Sequence, residues 1–415
     1  MIFNYFSGWW CEITNQISAN SPGIQRKELL GFLLFGHFVI HWFQQILPMF
    51  LPLLKVDLGL SDIQVGGLTT AKQAASGILT LPSGILADSF VKNRPIIIGL
   101  SIILGGLAYL LVSLSPFYVM VLISLCFVGA SSAFWHPSAV SSLSTFFPEH
   151  RGTALAFHGV GASIGDAISP LCIGALLVVV SWQRLAQWSM APAVALGLII
   201  WISTRRIFAG ESNNMDLHAY LGGLKDLIAY PSVFLVMGAS SLVGMARLST
   251  VTFLPIYLVE VRGFSSVGLG FHWMLLYVMG AVSQPLMGVI SDRFSRKTVL
   301  LPSFAIMAIL YFLLPFASKG ISLIFVIGVM GAFFYGTGNI ATAAVLDVAS
   351  RRIQGTANSI MSLFQQLITL PAPIIAGLIV TELGLDSVFY FCASLLSVAA
   401  FAWVFIRINP AVTLE

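Results

Sequence analysis

Apolar residues dominate this chain in stretches of about twenty, each broken by a short polar or basic segment. The stretches are continuous rather than alternating, so they predict helices and not the roughly ten-residue alternating strands of a membrane barrel. A helix needs about 20 apolar residues to cross ~30 Å of hydrocarbon. Twelve segments meet that length, at about 29–54, 63–87, 95–114, 117–146, 153–178, 186–204, 231–258, 266–290, 298–317, 321–348, 355–380 and 386–407. The expected fold class is an all-α membrane protein of twelve transmembrane helices. A tail at 1–28, a six-helix half at 29–204, a polar linker at 205–230, a second half at 231–407 and a tail at 408–415 complete the expected organisation.

The pattern repeats. Gly84-Ile85-Leu86-Ala87-Asp88 and Gly288-Val289-Ile290-Ser291-Asp292 each lead into a basic loop, with the two Asp 204 residues apart. An offset of 203 aligns Phe50-Leu51-Pro52 with Phe253-Leu254-Pro255, and Gly152-Thr153-Ala154 with Gly355-Thr356-Ala357. The same offset pairs Pro170 and Gly174 with Pro373 and Gly377. The matching spans are six apart, so the halves share one orientation in the membrane. They are parallel repeats, and a ligand site is expected between them.

Composition agrees: 58% of residues are hydrophobic, 9% are charged, and mean hydropathy is +0.94. Soluble domains carry roughly 25% charged residues. Fourteen Lys and Arg fall in the loops and tails on the side of the termini, against Lys55, Arg184, Arg262 and Lys319 opposite. The positive-inside rule then places both termini in the cytoplasm. Lys72 and Arg247 remain inside spans. The first 28 residues lack the cationic start and apolar run of a cleaved signal, and read as a cytoplasmic or interfacial tail. Cys11, Cys126, Cys172 and Cys392 have no CxxC spacing, so neither a disulfide framework nor a thiolate metal site is expected.

The twelve spans, the repeat and the basic loops together resemble the major facilitator superfamily, from about residue 29 onward. The family's loop signature is Gly, three residues, Asp, Arg, any, Gly and two basic residues. The copy at Gly288–Lys297 departs only in Ser295; the copy at Gly84–Arg94 departs in Ser89 and Val91. A narrower resemblance, to the fosmidomycin-resistance branch, rests on Gly36–His41 through Pro52, on Phe127–Pro137 with its Trp135-His136-Pro137, and on Val160-Gly161 with Pro170. It implies export of small drugs in exchange for protons. His41 stands where that branch is expected to carry Asp, and Asp166 where it has a small polar residue, so either the coupling acid has moved to the fifth helix or coupling differs in this chain.

Charges inside a span cost at least ~2.5–3.5 kcal/mol each near the centre, which favours pairing or a wet cavity. Asp166, Lys72 and Arg247 all fall in the middle-to-outer part of their spans. Desolvation favours a neutral carboxyl and a nearby cation favours a charged one, so Asp166 could load and unload a proton. The bland alternative makes it a structural partner of Lys72. His37, His41, Gln44 and Pro48 share one helical face, and the 203 offset carries Gln44 to Arg247 and His41 to Gly244. Arg247 is therefore expected to face the same cavity; its alternative is an ion pair with Glu260. His136 precedes Pro137 and is a gate or relay candidate, or satisfies the carbonyl that Pro137 frees. Gln365 and Gln366 are candidate cavity hydrogen-bonders, and His158 and His272 are weaker candidates. Two histidines without an acid or thiolate beside them rarely hold a metal, so none is expected. Asp88, Arg94, Asp292, Arg293, Arg296, Asp347 and Arg351 are expected to act in conformational switching, the acids by holding a facing helix N-terminus and Asp347 with Arg351 as an i, i+4 pair. Glycines 99, 105, 106, 159, 161 and 165 are expected at close helix contacts.

No phosphate loop or nucleophile elbow is present, and the basic residues follow topology, so no ATP drive, enzyme activity or nucleic-acid binding is expected. The reading is a monomeric secondary transporter in lipid, of the bacterial cytoplasmic membrane, with a small-molecule substrate and protons as partners. It uses no cofactor beyond the proton gradient. The intramembrane cations favour a small anionic or zwitterionic substrate, phosphonate-like drugs and metabolite carboxylates among them, and the resemblance implies that it is exported in exchange for protons. Uptake by symport of an organic anion or metal complex, passive facilitation and a non-transporting membrane sensor are the alternatives.

Overall fold

The computed structural model describes residues 23–208, 231–348 and 354–406, which form helices joined by short turns, with no strand among them. Twelve spans are present: α1 (Gly23–Asp57), α2 (Asp62–Ser89), α3 (Arg94–Leu114), α4 (Tyr118–Phe146), α5 (Arg151–Val179), α6 (Trp182–Trp188 with Met190–Thr204), α7 (Pro231–Glu260), α8 (Ser266–Arg293), α9 (Arg296–Leu313), α10 (Ile321–Phe334 with Gly336–Val348), α11 (Gln354–Thr369 with Ala372–Leu383) and α12 (Ser387–Phe405). Eleven stretches among the described residues are apolar enough to cross a bilayer. The span outside that set is α2, whose Lys72, Gln73, Ser76 and Thr69 turn toward an internal cavity and lower its hydropathy.

Three expected single helices are broken. The α6 span begins at Trp182 and breaks at Ser189; α10 breaks at Tyr335; α11 breaks before Pro371. Proline explains the last, since it removes a backbone donor and crowds the preceding turn. Side-chain caps fix several starts. Ser61 and Gln64 form a reciprocal capping box on α2, Ser265 caps α8, and Ser295 caps α9. Ser295, the departure from the family signature, thus has a local role.

The 203-residue offset reappears as geometry. A side chain on Gly174 would strike the backbone of Ser266, and one on Gly377 would strike Asp62 and Ile63. Likewise Gly270 lies against Pro170, and Gly66 against Pro373. These are symmetry-related contacts, α5 on α8 and α2 on α11, and they seal the halves together at the face opposite the chain termini. Small residues permit such backbone approach in the absence of a hydrophobic drive between helices. Lys55 adds an electrostatic tie at the same face, 2.8 Å from Asp62 and 3.0 Å from Glu260 of the other half. Within the first half, Gly99, Gly105, Gly106, Gly161 and Gly165 do sit at close contacts, whereas Gly159 has open space where a side chain would go.

Candidate functional site

Between the halves lies a cavity of about 470 Å³, walled by α1, α2, α4 and α5 on one side and α7, α8, α10 and α11 on the other. His41, Gln44, Lys72, His136, Asp166, Arg247 and Gln365 all line it, as do Gln366 and Gly244. His37 is not among the lining residues; it is buried one turn behind His41.

Neither cation forms a contact ion pair with a carboxylate among the described residues, although the charge of Asp166 acts on both. Lys72 Nζ lies 3.4 Å from the backbone oxygen of Gln44. The Arg247 guanidinium stacks 3.9 Å from the ring centroid of Tyr335 and 5.5 Å from that of Phe334. Cation–π contact with an electron-rich face leaves the charge available to a ligand. Tyr335 owes its position to the break in α10. The ion pair with Glu260 that the sequence allowed for Arg247 is not formed, because Glu260 is held by Lys55.

Asp166 is held from the first helix. Its Oδ2 lies 2.9 Å from His41 Nδ1, and its Oδ1 accepts a 2.6 Å hydrogen bond from Gln45 Nε2. Gln45 Oε1 in turn accepts a 2.8 Å bond from the Trp273 indole of the second half. The alternative partner, Lys72, therefore gives way to His41 and Gln45. Gln45 and Trp273 are functional candidates that sequence reasoning missed. Gln45 follows His41 at i+4, a spacing that could have flagged it; Trp273, Tyr277 and Tyr335 look like ordinary apolar-span aromatics.

Behind Asp166 is a histidine cluster. His37 Nδ1 lies 2.8 Å from the His158 backbone oxygen, and its ring stacks on that of His158 at 3.8 Å. His136 Nδ1 lies 2.8 Å from the Ser132 backbone oxygen. His158 presents Nδ1 to the Leu33 oxygen at 3.1 Å. The carbonyl that Pro137 frees, that of Ala133, is taken by the Ser83 hydroxyl at 2.6 Å and not by His136. His272 packs against Phe264, does not line the cavity, and donates from Nδ1 to the Gly268 oxygen at 2.8 Å. Gln365 donates to the Ser240 oxygen at 3.2 Å.

The loop charges pair with side chains rather than with a helix N-terminus. Asp88 accepts from the Ser141 hydroxyl at 2.6 Å and lies 3.5 Å from Arg94. Buried Arg94 also donates to the Ala87 oxygen and to Thr145. Arg296 bridges Asp292 and Asp347, reaching Asp347 Oδ2 at 2.9 Å. Asp347 thus pairs with Arg296; Arg351, its expected partner, lies outside the described residues. Arg293 rests near the Phe294 ring.

Relatives share this architecture. The Major Facilitator Superfamily profile matches residues 33–283 and 269–414. The chain is 25% identical to a probable sulfoacetate transporter, SauU, of Cupriavidus necator, across 94% of this chain and 95% of that one. It is 24% identical to the fosmidomycin resistance protein of Escherichia coli across 70% and 71%. Among solved structures, a bacterial homologue of the human lysosomal transporter Spinster, inward-facing and occupied, superposes with a TM-score of 0.76 at 17% identity, over 94% and 97% of the two chains. That likeness establishes the fold. With twelve helices, parallel halves and a polar cavity between them, the chain is an integral membrane protein of the Major Facilitator Superfamily.

Proposed function

We propose that this protein is a proton-coupled secondary transporter that exports a small organic anion by alternating access. The observation that carries this reading is the pair of cavity cations, Lys72 and Arg247, both without a contact ion pair among the described residues, while the cavity's acid is occupied by His41 and Gln45. Both line one cavity, and a carboxylate, sulfonate or phosphonate is the chemistry they would take; Lys72 offers a point charge and Arg247 a planar fork. Sulfoacetate and fosmidomycin, in the names of two relatives, are anions of that size. Asp166 takes the proton: neutralised, it loses its ionic hold on His41 and weakens the charge-assisted bond from Gln45, the amide that links it to Trp273 of the other half. The face sealed by Gly174, Gly377 and Lys55 is the outer one if the basic loops lie in the cytoplasm.

Uptake by symport is the second reading, since the same fold and the same cavity charges serve either direction. Proteoliposomes under an imposed pH gradient, with a panel of sulfonates, phosphonates and carboxylates and an internal pH dye, separate the two. Proton flux opposite to substrate supports export; flux in the same direction supports uptake. Substrate flux without any pH signal removes protons from the mechanism.

A further inference from the structure

We infer that His37, His41 and His136 form a binding site for a zinc-class divalent transition-metal ion, with three imidazoles as ligands and the remaining position open to the cavity. One ring nitrogen from each of the three lies within 4.8 Å of the others. The hydrogen bonding on the outside of the cluster fixes which nitrogens face inward. A backbone oxygen only accepts, so the Nδ1 of His37, 2.8 Å from the His158 oxygen, carries a hydrogen. The same holds for His136 Nδ1 at the Ser132 oxygen. In their neutral forms both rings therefore present Nε2 lone pairs, and these two atoms face each other at 3.4 Å.

Two lone pairs in that position call for a cation between them. A shared proton prefers a donor–acceptor separation of about 3 Å or less. Two nitrogens bound at ~2.0–2.1 Å to a tetrahedral zinc sit ~3.3 Å apart, which the observed spacing matches. His41 closes the set, offering a ring nitrogen within 4.8 Å of those of His37 and His136. Its Nδ1 faces Asp166 at 2.9 Å, leaving Nε2 for the ion.

Backbone carbonyls thus set the tautomers of His37 and His136, and a carboxylate lies 2.9 Å from His41 Nδ1, the kinds of outer partner that orient metal-binding histidines. His158 stacked on His37 limits ring motion further. Three imidazoles suit zinc, copper or nickel rather than magnesium or calcium, which require oxygen. His41 and His136 line the cavity, so the fourth position is reachable by water or by an oxygen of a bound anion. No single segment of sequence holds this site, because α1 supplies two ligands and α4 the third.

The test is a titration of the full-length, untagged protein in detergent, stripped with chelator. Cobalt(II) is followed by its visible absorption, and zinc is then used to displace it. One equivalent of cobalt with the intense spectrum of a tetrahedral site, displaced by one equivalent of zinc, is the expected result. His37→Gln and His136→Gln should each weaken binding at least tenfold, Asp166→Asn by about 10- to 100-fold as an outer-partner loss, and His272→Gln should bind as the parent does. Absence of a stoichiometric cobalt site in the parent protein overturns the assignment, whether or not any variant folds. So does equal binding by His136→Gln and His272→Gln, or a proton shared by His37 and His136 with no metal uptake. The titration needs neither substrate nor gradient, so its outcome is independent of the transport reading.

Discussion

Trp273 of the second half donates a 2.8 Å hydrogen bond to Gln45 of the first, and Gln45 passes its own amide hydrogen to Asp166 at 2.6 Å. One side-chain amide therefore joins the cavity's acid to the opposite half. Trp273→Phe keeps the ring and deletes the donor. A hydrogen bond of this kind contributes about 0.5–1.5 kcal/mol net, so the population sealed at the far face should fall by roughly 2- to 10-fold. Thiol labelling of a cysteine placed at Ser266, in a background lacking the native cysteines, reads that change. An unaltered labelling rate would show that the contact does not link the halves energetically.

Gly174 and Gly377 are equivalent under the repeat, and each abuts backbone of the other half. Overpacking costs about 1–3 kcal/mol, which corresponds to roughly a 5- to 100-fold loss of the sealed state. Gly174→Leu and Gly377→Leu should therefore trap similar conformations and depress transport alike. Gly159→Ala, at a position with open space, should leave transport intact. Divergent behaviour of the two leucine variants would argue against symmetric closure.

How far these relationships could be read from sequence depends on how local their physics is. Apolar runs report the twelve spans because lipid demands them residue by residue. The offset of 203 brings Arg247 and Gly244 opposite Gln44 and His41 because repeats preserve facing positions. The break at Ser189 precedes Pro192, which lacks the donor that would reach the Trp188 carbonyl, whereas no proline marks the break at Tyr335. Asp166 stands out as a buried acid, yet its partner depends on tertiary packing: Lys72 and Gln45 were both within reach, and Gln45 prevails. The third histidine of the cluster is 99 residues from the first, so no local spacing could join them.

Arg247 combines charge with a face-on stack upon Tyr335. Arg247→Gln should raise the apparent KM for an anionic substrate about 10- to 100-fold, the loss of a ~1.5–3 kcal/mol charged hydrogen bond. Arg247→Lys should recover part of that loss, because a lysine keeps the charge and gives up the planar fork and the stacking. Lys72→Gln should act in the same direction. Initial-rate uptake of labelled substrate into proteoliposomes measures all three. A neutral substitution at both positions that leaves KM unchanged would remove the anion from the reading.

Asp166→Asn separates binding from coupling. The amide can still accept from Gln45, as a protonated carboxyl can, so the substrate site at Lys72 and Arg247 should survive the loss of the charge facing His41. What it cannot do is exchange a proton as the cavity alternates between the two faces. Substrate-for-substrate counterflow should therefore persist within about a few-fold of the parent, a loss of the order of one hydrogen bond. Accumulation driven by an imposed pH gradient should fall to background, and the pH dependence of transport should flatten. Counterflow and gradient-driven flux measured on the same vesicles give the answer directly. If Asp166→Asn still accumulates substrate with the parent's pH dependence, the proton is carried elsewhere and Asp166 serves to orient His41.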